Sequence, residues 1–155
     1  MQIHENNSNH FDDFIRLNEA WISEHFQLEE ADLQLARDPG AIVRAGGYIF
    51  TGIIEGAVVG TAALFRHAPD EYELARMAVA PAYRGQGLGR ALALAALGKA
   101  LALGAKRVIV LSNTRLLPAL RLYQSLGFNT VREGPHPVYA RCNIIMEKFM
   151  DSAQR

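Results

Sequence analysis

The sequence lacks several features that would assign it to common classes of protein. It has a single cysteine, Cys142, so an internal disulfide is excluded and a reducing compartment is expected. The apolar stretch at residues 91–105 is too short to span a bilayer and is interrupted by Lys99. The first residues, MQIHENNSNHFDDF, contain no apolar signal-peptide segment. We therefore expect a cytoplasmic protein with no membrane partner.

Patterns for metal and nucleic-acid binding are also missing. The five histidines show no paired metal-ligand spacing, so we expect no metal site. The formal net charge is zero, so no nucleic-acid partner is expected.

No repeat, low-complexity tract or linker divides the chain, which predicts one domain over residues 1–155. The apolar strand pattern around Cys142 favours a core role over a nucleophilic one.

Acidic residues are absent from a long central segment. Residues 1–73 contain thirteen acidic and four basic residues, whereas residues 74–131 contain eight basic residues and no acidic ones. Ordinary solvated surface would explain this imbalance equally well. The functional interpretation is a site with a basic half for a polyanionic cofactor and an acidic half that attracts a cationic acceptor.

A glycine-rich stretch, RGQGLG at residues 84–89, joins a strand-like run to a long Ala/Leu helix. Glycine lets the backbone approach a ligand closely, and the first N–H groups of a helix lack intrahelical partners. A diphosphate would satisfy them, aided by the helix dipole and by Arg84 or Arg90. The dinucleotide fingerprint is excluded because it needs glycine at position 90, where this chain has arginine. The P-loop is excluded because the chain lacks Gly-Lys-Ser/Thr. A capping turn that binds nothing remains an alternative.

Hydrophobic periodicity and turn residues predict the element order β-α-α-β-β-β-α-β-α-β-β. Helices are predicted at residues 12–25, 28–37 and 87–103, and from a cap within residues 112–114 to residue 127. Strands are predicted at residues 2–5, 48–54, 58–65, 72–79, 108–111 and 142–149, with one further strand left unplaced. Helices on both sides of a mixed sheet would form an α/β sandwich.

Two motifs in order resemble the general N-acetyltransferase (GNAT) superfamily. The glycine loop follows the strand sequence ELARMAVAPAY and precedes, by about thirty residues, the sequence ALRLYQSLGF. The resemblance covers residues 73–128. It implies a three-layer α-β-α sandwich with a mixed, mostly antiparallel central sheet that is splayed at the acetyl-CoA site.

The resemblance also implies which residues contact acetyl-CoA, through its pyrophosphate at the glycine loop and its pantetheine arm at the preceding strand. They are Met77, Ala78, Val79, Arg84, Gly85, Gln86, Gly87, Leu88, Gly89, Arg90, Asn113 and Ala119. The sequence departs from the family at Leu116, where members often have an asparagine that contacts the pantetheine arm. Asn113 could substitute for it or could only cap the helix. Ala119 matches the small residue that lets the cofactor pass.

Transfer of an acetyl group to an amine needs a base, because an alkylammonium has a pKa of about 10.4. Glu73 lies eleven residues before Arg84, which is the position of a catalytic glutamate in several GNAT enzymes. The resemblance therefore implies that Glu73 is the base, directly or through a water. Strand alternation predicts that Glu73 shares a face with Met77 and Val79. An ordinary carboxylate at a strand end remains an alternative.

The motif LYxxLGF places Tyr123 where many GNAT members have the tyrosine that protonates the departing sulfur. A packed aromatic that anchors its helix is the alternative.

Aromatic and acidic side chains of the early helices could wall the acceptor pocket or could only pack together. They are Trp21, His25, Phe26, Glu24, Glu29 and Glu30.

The resemblance implies an acetyl-CoA-dependent N-acetyltransferase that transfers the acetyl group directly, within a ternary complex, to a primary amine. The charge distribution predicts a small cationic acceptor. Two alternatives stay open, a noncatalytic acyl-CoA-binding regulatory module and an enzyme that acetylates a protein lysine or N-terminus. A homodimer is also left open.

Overall fold

The structure is a computed structural model that describes residues 1–150, so the last five residues of the predicted domain lie outside it. Its strands are β1 (Gln2–Glu5), β2 (Tyr48–Ile54), β3 (Ala57–Ala68), β4 (Glu71–Val79), β5 (Arg107–Ser112), β6 (Asn129–Glu133) and β7 (Ile144–Phe149). Its helices are α1 (Phe11–His25), α2 (Glu30–Arg37), α3 (Ala41–Arg44), α4 (Leu88–Ala102) and α5 (Leu117–Ser125). Short 3-10 turns occupy Ser8–His10 and Pro81–Tyr83.

The strands form one seven-stranded sheet in the order β1-β2-β3-β4-β5-β7-β6. Every neighbouring pair is antiparallel except β4 and β5, which run parallel. Their ladder starts at Glu71 and Arg107 and ends where Glu73 faces Ile109. Because β4 continues to Val79, the two strands part beyond Glu73. The predicted mixed, mostly antiparallel and splayed sheet is confirmed.

Helices cover both faces of the sheet. On one face, α4 and α5 pack against the largest core cluster, to which α4 contributes Leu92 and Ala96. On the other face, α1 and α3 contribute Phe14 and Ile42 to a second cluster. The predicted three-layer α-β-α sandwich is therefore confirmed. Within residues 1–150, no helix combines the length and the apolar character needed to cross a bilayer.

The predicted elements are found in the predicted order, and their ends differ from the predictions by three residues or fewer, except at the start of α5. The N-cap of that helix is Leu116, so the prediction of a cap within residues 112–114 is wrong. The unplaced strand is β6, which follows α5 directly. Among the α-helices within residues 1–150, only α3 was not predicted from the sequence. This helix has four residues and follows Pro39 and Gly40, so it is too short to show a helical hydrophobic period.

A bulge interrupts β4 just after the point where it leaves β5. Ala75 pairs with Ala63 and Ala78 pairs with Thr61, so two β4 residues oppose a single β3 residue between them. The first of the two, Arg76, has a left-handed backbone with φ of 56°. The buried hydroxyl of Thr61 donates to the carbonyl oxygen of Arg76 at 3.3 Å and accepts from the Asn18 amide at 3.2 Å. The first of these bonds satisfies the Arg76 carbonyl at the bulge, and the second holds the Thr61 hydroxyl in place.

The extra residue changes which side chains share a face. Glu73 lies opposite Phe65, which packs against the α1 and α3 side of the sheet. Met77 packs instead against the core on the α4 side, and a Cβ placed on Gly89 would lie 3.9 Å from Val79 Cγ2. The prediction that Glu73 shares a face with Met77 and Val79 is therefore wrong. Period-two alternation holds only in a regular strand, and the bulge shifts it by one residue.

A buried carboxylate fastens α2 to the bulge. The side chain of Asp32 is 1% exposed and forms an ion pair with Arg76. It also accepts two hydrogen bonds from Arg141, at 2.7 Å and 2.6 Å. Glu29 accepts from Arg141 at 2.9 Å and from the backbone N–H of Ala140 at 3.1 Å. This ion network joins α2, β4 and the loop between β6 and β7.

Burial by itself would raise the pKa of the Asp32 carboxyl. Hydrogen bonds from Arg141, from the backbone N–H of Glu29 and from Arg76 outweigh burial and lower that pKa to about 2. A carboxyl group whose pKa is lower in the folded state than in the unfolded state stabilises the fold above its unfolded pKa. That contribution is lost as the pH falls from about 4 towards 2.

We expect Asp32→Asn to lower the free energy of unfolding at pH 7 by about 3–5 kcal/mol, because two guanidinium groups lose their buried partner. The variant should also lose less stability than the wild type between pH 4 and pH 2. Urea unfolding at several pH values measures both effects. Asp38→Asn is the matched control, since it breaks an exposed ion pair with Arg44. Parallel pH dependence in Asp32→Asn and the wild type would contradict the prediction.

Candidate functional site

The glycine loop presents unpaired backbone donors at the start of α4. Gly85 and Gly87 have φ of 75° and 81°, in the left-handed region where other residues are strained. Gly87 is the N-cap of α4 and the helix has no side-chain cap. Within residues 1–150, no group accepts a hydrogen bond from the N–H groups of residues 85–90. An anion bound there would satisfy them and interact favourably with the helix dipole.

The loop adjoins the gap between β4 and β5. It follows the end of β4 at Val79, and the two strands have already separated from Glu73 onwards. The β4 residues Ala78 and Val79 are hydrogen-bonded to β3 on one side of the strand. The other edge of β4 faces the gap. An extended ligand could therefore follow this edge from the loop towards Glu73.

Two arginines beside the loop have partners that the sequence did not predict. Arg84 donates to the Val79 carbonyl at 3.1 Å and forms two hydrogen bonds with Glu24 of α1, at 2.9 Å and 2.8 Å. The hydrogen bond from Arg84 lowers the pKa of Glu24. Arg90 donates to the Ser125 hydroxyl at 3.0 Å and so joins α4 to α5. Both arginines help to hold the loop in place.

Tyr123 lies in the core beneath α5. Its side chain is buried, and its ring packs edge-on against Phe128 with 5.8 Å between centroids. Burial raises the pKa of Tyr123 to about 12, so the hydroxyl stays protonated at neutral pH. Within the described chain the hydroxyl has no hydrogen-bond partner, which leaves its proton available to a ligand. Ala119, one turn earlier, packs against the same core.

Glu73 is mostly buried, and one carboxylate oxygen lies 2.8 Å from His67 Nε2. This hydrogen bond raises the pKa of His67. His67 was not predicted as a site residue. It lies on β3 two residues after Phe65, the residue that pairs with Glu73, so it is a diagonal neighbour of Glu73 in the sheet.

Asn113 already has protein partners on both side-chain groups. Its amide nitrogen donates to the Arg141 carbonyl at 3.1 Å, and its oxygen accepts from the Arg115 N–H at 2.9 Å. The residue thus shapes the turn before α5 and ties it to the β6–β7 loop.

A cavity of about 330 Å³ lies where three connections meet, those between α1 and α2, β5 and α5, and β6 and β7. Its lining residues are Phe26, Gln27, Leu28, Glu29, Asn113, Arg115, Ala140 and Arg141. The Arg115 guanidinium lies 4.5 Å from the centroid of the Phe26 ring. Trp21 and His25 pack against each other with tilted rings in the last turns of α1, outside the lining. Of the predicted wall residues, only Phe26 and Glu29 line this cavity.

Comparison with known proteins places these features in a family. The sequence profile described as the Acetyltransferase (GNAT) family matches residues 10–128. The protein YjgM of Escherichia coli (strain K12), named as an uncharacterized N-acetyltransferase, is 40% identical over 80 residues. That match covers 50% of this chain and 48% of YjgM, so the chain spans about half the length of this relative.

Solved structures share nearly the whole fold. An acetyltransferase of the GNAT family from Staphylococcus aureus Mu50 has a TM-score of 0.85 at 18% identity, covering 97% of this chain and 99% of its own. The phosphinothricin acetyltransferase of Sinorhizobium meliloti, solved in complex with acetyl-CoA, has a TM-score of 0.80 at 16% identity, covering 99% and 91%. The profile match over most of its length and this common fold show that the chain belongs to the acetyltransferase (GNAT) family.

Proposed function

We propose that the protein is an N-acetyltransferase that uses acetyl-CoA to acetylate the primary amine of a small molecule. The observation that carries this proposal is the row of unpaired N–H groups at residues 85–90, beside the gap between β4 and β5. The S. meliloti relative of the same fold was solved with acetyl-CoA, which supports the choice of donor.

The chain offers groups that suit the pyrophosphate and the pantetheine arm of acetyl-CoA. The loop N–H groups, with Arg84 and Arg90 nearby, would bind the pyrophosphate. The free edge of β4 from Met77 to Val79 would pair with the amide groups of the pantetheine arm, and Ala119 would leave room for it. Asn113 would approach the arm only through groups that are already hydrogen-bonded within the protein.

Two side chains would manage the protons of the reaction. Acetyl-CoA supplies the acetyl group as a thioester, which reacts with an uncharged amine. Glu73 would take the proton of the acceptor's ammonium group at its carboxylate, directly or through a water. Tyr123 would donate its hydroxyl proton to the departing sulfur, and the second proton that the nitrogen loses as the amide forms would restore the hydroxyl, directly or through a water. No covalent bond between the acetyl group and the protein is needed.

Two classes of acceptor amine, which differ in charge, are candidates. The acidic first half of the sequence led us to predict a cationic acceptor, and that remains a prediction. Five acidic residues of that half pair with basic residues from later in the chain. Because each pair has no net charge, these residues would attract a cationic acceptor only at short range.

Arg115 favours a second class of acceptor, an amine that also carries a carboxylate. It lines the cavity, and among the described residues no carboxylate pairs with its guanidinium. Glu29, the acidic residue in the lining, is already engaged by Arg141 and by the N–H of Ala140. A planar guanidinium fixed over Phe26 could bind a carboxylate through two hydrogen bonds.

The donor site is tested by Gly87→Glu. The glutamate adds bulk and negative charge beside the N–H groups, so we expect acetyl-CoA binding to fall below detection in calorimetry. Gly56→Glu is the matched control, because Gly56 has a similar φ of 80° in the turn between β2 and β3. It carries the same strain and charge away from the loop. Unchanged affinity in a folded Gly87→Glu protein would remove the donor assignment.

The proton donor is tested by Tyr123→Phe, which removes only the hydroxyl. We expect kcat to fall about 10²-fold or more, with little change in the Kd of acetyl-CoA. Tyr72→Phe is the control, because Tyr72 is buried in the same core cluster. Full turnover in Tyr123→Phe would restrict Tyr123 to a packing role.

The acceptor is tested by following CoA release with matched cationic, neutral and carboxylate-bearing amines at low and high salt. A cationic preference that weakens with salt would support the charge-based prediction. A carboxylate preference that Arg115→Gln abolishes would support the second class instead. Transfer only to peptides would indicate a protein acceptor. Acetyl-CoA binding without transfer to any amine or peptide would indicate a noncatalytic module.

A further inference from the structure

His67 is placed by a second bulge, at the other end of the β3–β4 pair. The pairing shifts by one residue between Arg66 and Ala68, so His67 is the extra residue of β3. Bulges often redirect a side chain beside a functional site. Here the imidazole Nε2 lies 2.8 Å from Oε1 of Glu73.

The two partners differ strongly in their contact with solvent. The Glu73 side chain is 11% exposed, whereas the His67 side chain is 44% exposed. His67 is the residue that holds Oε1, and within residues 1–150 the second oxygen, Oε2, has no hydrogen-bond partner. A carboxylate in poor contact with water depends on protein groups for its orientation, because rotation about its last side-chain bond is otherwise broad.

We propose that His67 is a positioning residue for Glu73, holding Oε1 so that Oε2 stays free to take the proton of the acceptor's ammonium group. The proposal rests on the proposed function, in which Glu73 is the base. A hydrogen bond to a charged carboxylate is short and directional, so one such bond suffices to select an orientation.

A double-mutant cycle tests whether His67 acts through Glu73. We expect Glu73→Gln to lower kcat about 10²-fold or more and His67→Ala to lower it about tenfold. In the doubly substituted protein kcat should equal that of Glu73→Gln, because a positioning residue has no effect once its carboxylate is gone. The Kd of acetyl-CoA should be unchanged in all three variants.

Two further variants separate positioning from a loss of packing. His67→Gln keeps an N–H donor at a similar reach and should recover most of the kcat lost in His67→Ala. His4→Ala removes a histidine that contacts Asn7 at the far edge of the sheet, and it should keep the wild-type kcat. Thermal unfolding of each variant checks that it is folded at the assay temperature.

Several results would overturn the proposal. They are full kcat in His67→Ala, the same low kcat in His67→Gln as in His67→Ala, and a further tenfold loss when His67→Ala is added to Glu73→Gln. Each would leave acetyl transfer itself intact. A wild-type protein that transfers no acetyl group would instead refute the proposed function, and this inference with it.

Discussion

The left-handed backbone at Arg76 is the constraint on which the rest of the site depends. One extra residue in β4 turns Met77 and Val79 towards α4 and leaves Glu73 on the opposite face. Such a conformation costs a non-glycine residue about 1–3 kcal/mol. The hydroxyl of Thr61 donates to the carbonyl of Arg76, and the guanidinium of Arg76 pairs with Asp32. These contacts offset the cost of the left-handed backbone.

The same residue therefore bends a strand and anchors a helix. A bulged strand bends and twists more strongly than a regular one. The bulge lies just beyond the last pair between β4 and β5, where the two strands separate. Through Asp32 the bulge is also linked to Arg141 and hence to the loop that walls the cavity. The gap between β4 and β5 and the cavity thus share one buried ion network.

Charge in this protein mostly joins segments that are distant in the sequence. Glu24 of α1 holds Arg84 beside the glycine loop, and Asp32 of α2 holds Arg76 in the sheet. The acidic first half and the basic middle of the chain are in this way bound to each other. Arg115 differs from these residues because it faces the cavity and stacks on an aromatic ring.

The sequence by itself determined the element order, the glycine loop and the family. These depend on local patterns, since periodicity, turn residues and short motifs can be read within about ten to twenty residues. Only the tertiary structure decided which face Glu73 occupies, which partners Arg84 and Asp32 have, and that His67 reaches Glu73. The bulge at Arg76 follows no sequence signal, because its left-handed residue is an arginine rather than a glycine. The partners of Asp32 lie 44 and 109 residues away, and only the folded chain brings such groups into contact.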